Sequence, residues 1–345
     1  MSRTAVVLLN LGGPDRPQSV RPFLFNLFND PAIIVLPQPV RWLLAQLISR
    51  RRAPIAREIY GKIGGSSPLL ANTDAQARAI EAALGPDYRC FLAMRYWHPF
   101  SDEAARAVKA WRPDRIVLLP LYPQFSTTTT ASSLAAWHDA ARRAGVSAPS
   151  ASLCCYPREA GFIEAVAAMT HETLARIPAG TAYRVLFSAH GLPKKTVRAG
   201  DPYQFQVEAT VGALRAALGL SGLDSVICYQ SRVGPLEWIG PATDAEIARA
   251  GAAGLAVVVV PVAFVSEHSE TLVELGIEYR HLAERSGASA YHVVATAGLH
   301  EAFIAGLAGL VRRAPGPGLR CGEVERICPA DFARCPFADA RQAAA

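Results

Sequence analysis

The chain has 345 residues, 51% hydrophobic and 19% charged, with 26 Gly and 25 Pro spread along its length. That balance excludes a disordered chain and suits one large α/β unit or two packed lobes. The formal charge of +6 fits nucleic acid, an anionic membrane or a carboxylate-bearing substrate, but no nucleic-acid signature is present and only Arg50, Arg51 and Arg52 cluster, so nucleic acid is set aside.

The N-terminal Met-Ser-Arg-Thr runs into an apolar strand without a small-residue cleavage site, which predicts a cytoplasmic protein. Apolar runs rich in Val, Ile and Leu recur at 5–11, 89–94, 115–121, 183–189, 225–230, 256–263 and 291–296, separated by amphipathic stretches of helical length. Such alternation predicts βαβ units around parallel sheets, and continuous runs such as Val257–Val260 predict strands covered on both faces. VVLLNLGGP resembles VLFSAHGLP, and RIVLLPLYPQFS resembles AVVVVPVAFVS, so the halves read as duplicated lobes. The expected fold is α/β, two doubly wound lobes with an active-site cleft between them. The lobes take 1–150 and 151–312, and a cysteine-bearing tail takes 313–345.

Residues 31–52 break the alternation. Pro37 and Pro39 interrupt the apolar run, which is too short to span a bilayer. Trp42, Leu43, Leu44, Leu47 and Ile48, followed by three arginines, read either as a lip resting on the inner face of the cytoplasmic membrane or as a packed helix with a basic end.

Ligands of open α/β sheets bind beyond the carboxyl ends of the strands. In the first half that position offers Leu11 before Gly12 and Gly13, Tyr60 and Ser67 in EIYGKIGGSSPL, Arg95 and Tyr96 in MRYWHP, and Tyr122 in LYPQFS. In the second half FSAHGLP places His190 at a strand end, an imidazole able to accept a proton near neutral pH. QSRVGPLEWIGP adds Trp238, a broad surface for a large apolar ring. PVAFVSEHSETLVELGIEY then supplies Phe264, Glu267, His268, Glu270, Glu274 and Glu278. At i, i+4 spacing the last three glutamates share one face of an α-helix, a line of oxygens suited to passing a divalent cation, with Glu278 on the exposed side.

Cys321, Cys328 and Cys335 form C-x6-C-x6-C in a Pro- and Gly-punctuated tail. Thiolates at this density suit zinc or an iron–sulfur cluster, with a fourth ligand from Cys154 or Cys155. Adjacent strand residues point to opposite faces, so one of the two is expected to serve, and Cys155 is preferred. Cys90 and Cys228, inside apolar strands, are expected to be buried small hydrophobes.

Taken together, LNLGGP, EIYGKIGGSSPL, MRYWHP, LYPQFS, FSAHGLP, QSRVGPLEWIGP and PVAFVSEHSETLVELGIEY make the chain resemble the ferrochelatases over some 270 residues. The resemblance implies a lyase of haem biosynthesis that inserts ferrous iron, its metal substrate, into protoporphyrin IX. It implies that His190 takes the pyrrole protons and that Glu270 and His268 assist iron delivery or proton transfer; the residues expected to meet the substrate iron are His190, Glu270, Glu274 and Glu267. It further implies that Arg95 meets a propionate while Leu11, Tyr60, Trp238 and Phe264 shape the porphyrin pocket. Some members carry a 2Fe-2S cluster on three C-terminal cysteines and one internal one. Here Thr127 stands where the animal version has its internal cysteine, so the ligand shifts to Cys155. The rival readings are a chelatase for coproporphyrin or sirohydrochlorin, and a carrier that binds haem or metal without chemistry.

Overall fold

The computed structural model describes residues 2–337 apart from 221, 233, 235, 315 and 324. Among them the strands run in chain order β1 (Thr4–Asn10), β2 (Tyr88–Met94), β3 (Arg115–Pro120), β4 (Ser150–Leu153), β5 (Tyr183–His190), β6 (Ser225–Gln230), β7 (Ala256–Pro261), β8 (Tyr291–Val293) and β9 (Gly318–Arg320). The helices are α1 (Val20–Phe28), α2 (Gln38–Gly61), α3 (Leu69–Leu84), α4 (Ser101–Trp111), α5 (Thr130–Ala144), α6 (Ala160–Leu174), α7 (Lys194–Arg198), α8 (Tyr203–Leu218), α9 (Thr243–Ala252), α10 (Tyr279–Arg285) and α11 (Glu301–Arg312).

The chain forms two lobes. One comprises Met1–Tyr122, Ser126–Cys154 and Ala308–Arg320, the other Pro123–Phe125, Cys155–Leu307 and Cys321–Ala345. In the first, the sheet order is β2-β1-β3-β4-β9, and in the second β6-β5-β7-β8. All pairings are parallel. The 2-1-3-4 order of the first sheet recurs as 6-5-7-8 in the second, and the segments that resemble each other in sequence, β1 with β5 and β3 with β7, occupy equivalent places.

The strands read as unbroken apolar runs because helices cover both faces. Every residue of β1 and β7 is buried. In the first lobe Val7, Leu9 and Leu118 pack against Val108 of α4 and Trp137 of α5; in the second Val257 and Val259 pack against Ile247 of α9 and Ala283 of α10. The regular strands stop at Pro120 and Pro261, short of the apolar runs, because proline has no N–H to continue a ladder. Cys228 is fully buried as its strand setting suggests, whereas Cys90 is only half-buried.

Two features differ from the expectations. β9 comes from the tail, yet it joins the first lobe's sheet beside β4. The stretch Glu270–Glu278 is a π-helix running into α10, not an α-helix. Its wider i→i+5 turn breaks the α-helical spacing on which the three-glutamate face rests.

Candidate active site

Three neighbouring strand ends of the second lobe supply one cluster. His190 is the last residue of β5, Ser231 follows β6, and the loop after β7 carries Phe264 and His268 into the π-helix. His190 Nδ1 lies 2.9 Å from Glu270 Oε2. His268, 8% exposed, approaches the same oxygen with Nε2 at 3.8 Å. Phe264 stands beside both rings, edge-on to His190 at 6.4 Å and tilted on His268 at 4.5 Å.

Gly191 shapes the strand end. A Cβ there would lie 2.8 Å from the Gln230 carbonyl oxygen and 3.3 Å from Trp238 Cε3, so only glycine lets these groups close around the residue after His190. Trp238 is fastened alongside by a bridge to Pro193 and by the Ile239 N–H donating to Leu192 O at 3.0 Å.

Ser231 ties two glutamates together. Its N–H donates to Glu274 Oε1 at 2.9 Å, and its hydroxyl reaches Glu270 Oε2 at 3.3 Å and also contacts Glu274 Oε2. The residue adopts φ 60°, a left-handed conformation costing a non-glycine residue about 1–2 kcal/mol. The strained residue is also the one that hydrogen-bonds both glutamates. Glu274 also accepts from Gln230 Nε2 at 3.2 Å and Tyr279 Oη at 3.0 Å, while Ser188 Oγ donates to Gln230 Oε1 at 2.8 Å and so fixes that amide.

Charge is distributed unevenly over this chain. Burial opposes ionisation of Glu270, but the charge and hydrogen bond of His190, with His268 and Ser231, outweigh it and hold the carboxyl down at about 2. Burial likewise opposes protonation of His190, yet Glu270 and Glu274 push its pKa above the ordinary value. Glu274 is raised by burial and by the neighbouring Glu270 charge, and burial lowers His268. These shifts favour charge on the His190–Glu270 pair, disfavour it on His268 and favour a proton on Glu274.

The remaining candidates separate. Glu267 accepts from the Thr296 N–H at 2.8 Å, in the loop after β8, and Glu278 is exposed. In the first lobe, Leu11 packs on the apolar cluster that contains Tyr60 and Tyr96 with α1 and α2. Tyr96 is 1% exposed and donates to Asp30 at 2.8 Å, a core position rather than an open stacking surface. Arg95 donates through Nε to Ser132 Oγ at 2.7 Å and pairs with Asp30 Oδ2 at 2.8 Å. Two of its five N–H donors are thereby engaged with a buried carboxylate and hydroxyl. Ser67 and Tyr122 are half-buried.

A second cluster forms where the tail docks on the second lobe. Gly322 N–H donates to Cys155 O at 2.7 Å, at a place where a Cβ would sit 2.6 Å from Tyr156 Cβ. Arg158 pairs with Glu323 at 3.0 Å, and Phe332 packs on Phe205. These contacts leave the Cys155 and Cys321 sulfurs 3.6 Å apart. The free Cys328 thiol is hydrogen-bonded to the free Cys335, which lowers the Cys335 pKa and raises that of Cys328. Gln206 Nε2 lies 3.5 Å from Cys155 Sγ and 3.2 Å from Cys328 Sγ. Cys154, the buried residue before Cys155, is not turned away as strand alternation suggests: the sulfurs of Cys154, Cys155 and Cys321 all lie within 4.8 Å of one another, so Cys154 stays a competing ligand.

The sequence motifs miss Ser231, Gln230, Tyr279, Asp30, Ser132 and Gln206. Ser231 and Gln230 lie inside the quoted QSRVGP, but a serine shows its left-handed backbone only once folded. Gln206 sits in an ordinary amphipathic helix, and nothing in the sequence marks it.

The chain matches the family model described as Ferrochelatase over residues 3–314, which leaves the three tail cysteines outside the matched stretch. It is 54% identical to a ferrochelatase of Caulobacter vibrioides, with 97% of each chain covered, and 50% identical to one of Hyphomonas neptunium, covering 99% of this chain and 97% of the relative. A ferrochelatase of Pelagibacter ubique is 43% identical over 97% of this chain and 98% of its own. Among solved structures, a Bacillus subtilis SirB with Fe3+ superposes with TM-score 0.55 at 12% identity, covering 90% of this chain and 95% of that one. At that identity the likeness concerns the fold.

Proposed function

This chain belongs to the ferrochelatase family, lyases that insert iron into porphyrin in haem synthesis, and from that premise we propose that it metallates protoporphyrin IX with His190 as the proton acceptor. The observation that carries the assignment is the unbroken line His190–Glu270–Ser231–Glu274 at the carboxyl ends of β5, β6 and β7.

Insertion exchanges two pyrrole N–H protons for one Fe2+, with no change in oxidation state. Glu270 occupies His190 Nδ1, which leaves Nε2 for the pyrrole proton. In the charged pair His190 has no free lone pair. A divalent cation arriving at Glu270 cancels the charge that raises the imidazole's pKa, so His190 sheds its proton and becomes the base as the metal is delivered. The same cation cancels the Glu270 charge that helps raise Glu274, so Glu274 releases its proton to solvent and then relays, by way of Ser231, the proton that His190 sheds and the two pyrrole protons one at a time. His268 stays neutral and orients Glu270, and Glu267 borders the entry. Phe264 and Trp238 bound the ring in the second lobe. For Leu11, Tyr60, Ser67, Arg95 and Tyr122 of the first lobe the ring-contact roles that the resemblance implies are kept as part of the proposal, with Asp30 holding Arg95 for an anionic substituent; Tyr96 is left out because it is buried.

The tail cysteines fit a 2Fe-2S cluster. Four cysteinyl sulfurs in two close pairs, Cys155 with Cys321 and Cys328 with Cys335, match the donor set of such a centre. Bound there, the cluster supplies a one-electron centre and ties the tail to the lobe. Iron and acid-labile sulfide content with visible absorption of the purified protein tests it against zinc.

Residues 31–52 favour peripheral attachment to the cytoplasmic membrane. Val35 before α2 and Val40, Leu43, Leu47 and Ile55 on it are exposed, with Trp42 at 43%, while Leu44 and Ile48 are half-buried, so the apolar stripe of α2 is only partly packed away. Among the described residues no helix is long and apolar enough to cross a membrane. An apolar patch followed by Arg50–Arg52 suits an anionic lipid surface and favours protoporphyrin over the more polar coproporphyrin.

Anaerobic turnover with Fe2+ decides the substrate. Faster metallation of protoporphyrin IX than of coproporphyrin or sirohydrochlorin is expected; the reverse order would reassign it. A carrier would bind the ring in a single-turnover mixture and leave it unmetallated.

A further inference from the structure

Gln206 lies on the first turns of α8 and is fully buried. Its Oε1 accepts the Phe125 N–H at 2.7 Å, which identifies the two ends of the amide, since the reversed orientation would set donor against donor. The NH2 group therefore faces sulfur, with Cys155 Sγ at 3.5 Å and Cys328 Sγ at 3.2 Å. A primary amide has two N–H bonds, and two sulfurs stand in front of them. Neutral thiols are weak acceptors and return little for burying an amide completely. Metal-bound thiolates carry charge and accept far more strongly.

We propose that Gln206 is an N–H···S donor to the thiolates of Cys155 and Cys328 and sets the reduction potential of the two-iron cluster they hold. The proposal rests on the cluster reading above. Adding an electron increases negative charge on the sulfurs, so fixed N–H dipoles stabilise the reduced form more than the oxidised one and raise the potential. The donor is held in place from its far end by Phe125 and not by the sulfurs themselves, so it is oriented before the cluster arrives.

The test compares the full-length parental protein with Gln206→Met, close in shape but without N–H, and Gln206→Glu, which sets a carboxylate against the thiolates. Iron, sulfide and a redox titration followed by electron paramagnetic resonance are measured on each. Gln206→Met should keep parental iron and sulfide while its one-electron equilibrium shifts at least tenfold toward the oxidised form, about 59 mV. Gln206→Glu should lose cluster. An unchanged potential in loaded Gln206→Met overturns the proposal and leaves the cluster standing, whereas a parental protein without stoichiometric iron and sulfide overturns both. If Gln206→Met fails to load, side-chain 15N-glutamine labelling of the parental protein replaces it. Hyperfine coupling of one glutamine nitrogen to the reduced cluster is expected, and its absence refutes the assignment.

Discussion

Glu270 meets His190 through Nδ1 at 2.9 Å while His268 approaches the same carboxylate oxygen at 3.8 Å, so one oxygen serves two imidazoles of opposite character. His190 → Ala should lower iron insertion by about 10²–10⁴, the range of a lost general base. The residue closes β5 half-buried, at the strand end rather than within the apolar core, so circular dichroism and thermal melting should stay near parental. Parental turnover in this variant would remove His190 from the mechanism.

The pH profile should report the same pair. Burial lowers the His190 pKa and Glu270 raises it past the ordinary 6.5, so kcat/KM for the porphyrin should climb with pH and its acid limb should lie above that value. Glu270→Gln deletes the larger raising cause and leaves burial opposed only by Glu274. The limb should then move to lower pH, alongside a fall in maximal rate. An acid limb that stays where it was would mean some other group titrates.

Ser231 carries both strain and hydrogen bonds, and two substitutions separate them. Ser231→Ala keeps the φ 60° penalty and loses the hydroxyl between two carboxylates, costing about 1–3 kcal/mol. Ser231→Gly loses the same hydroxyl but relaxes the backbone, so it should melt higher than Ser231→Ala. Both should raise KM for Fe2+. Equal melting temperatures for the two would deny the strain.

Cysteine substitution should sort the neighbours at the lobe border. Cys155→Ala is expected to abolish bound iron and sulfide, since Cys155 sulfur stands 3.6 Å from Cys321. Cys154→Ala should retain both. The opposite result would transfer the ligand to Cys154.

On the exposed stripe of α2, Leu43→Asp with Leu47→Asp should weaken binding to anionic vesicles by more than tenfold, because burying one leucine contributes about 1.5–3 kcal/mol. Turnover with detergent-solubilised porphyrin should be unchanged. Vesicle binding equal to parental would return the helix to an ordinary surface role.

The strands of both sheets were readable because helices on both faces demand unbroken apolar runs, and the doubling of β1 and β3 as β5 and β7 was visible for the same reason. His190, Glu270 and His268 were legible because strand ends of such sheets are where ligands bind. What escaped depends on backbone form or on partners distant in sequence. The π-helix cannot be inferred from i, i+4 spacing. Tyr96 stands in the sequence as a strand-end candidate for ligand contact until Asp30, 66 residues away, claims its hydroxyl. Gln206 gains its meaning only when Phe125 and two cysteines converge on it.

The tail is woven into both lobes in succession. Gly318–Arg320 extends the first sheet beside β4, and the next residue, Cys321, begins the segment that delivers three thiols to the second lobe. A chain cut before residue 318 would bare the β4 edge to other molecules and strip away most of the sulfur donors at once. Shortened forms should therefore precipitate rather than persist as cluster-free enzyme, which makes loss of this appendage an all-or-nothing step.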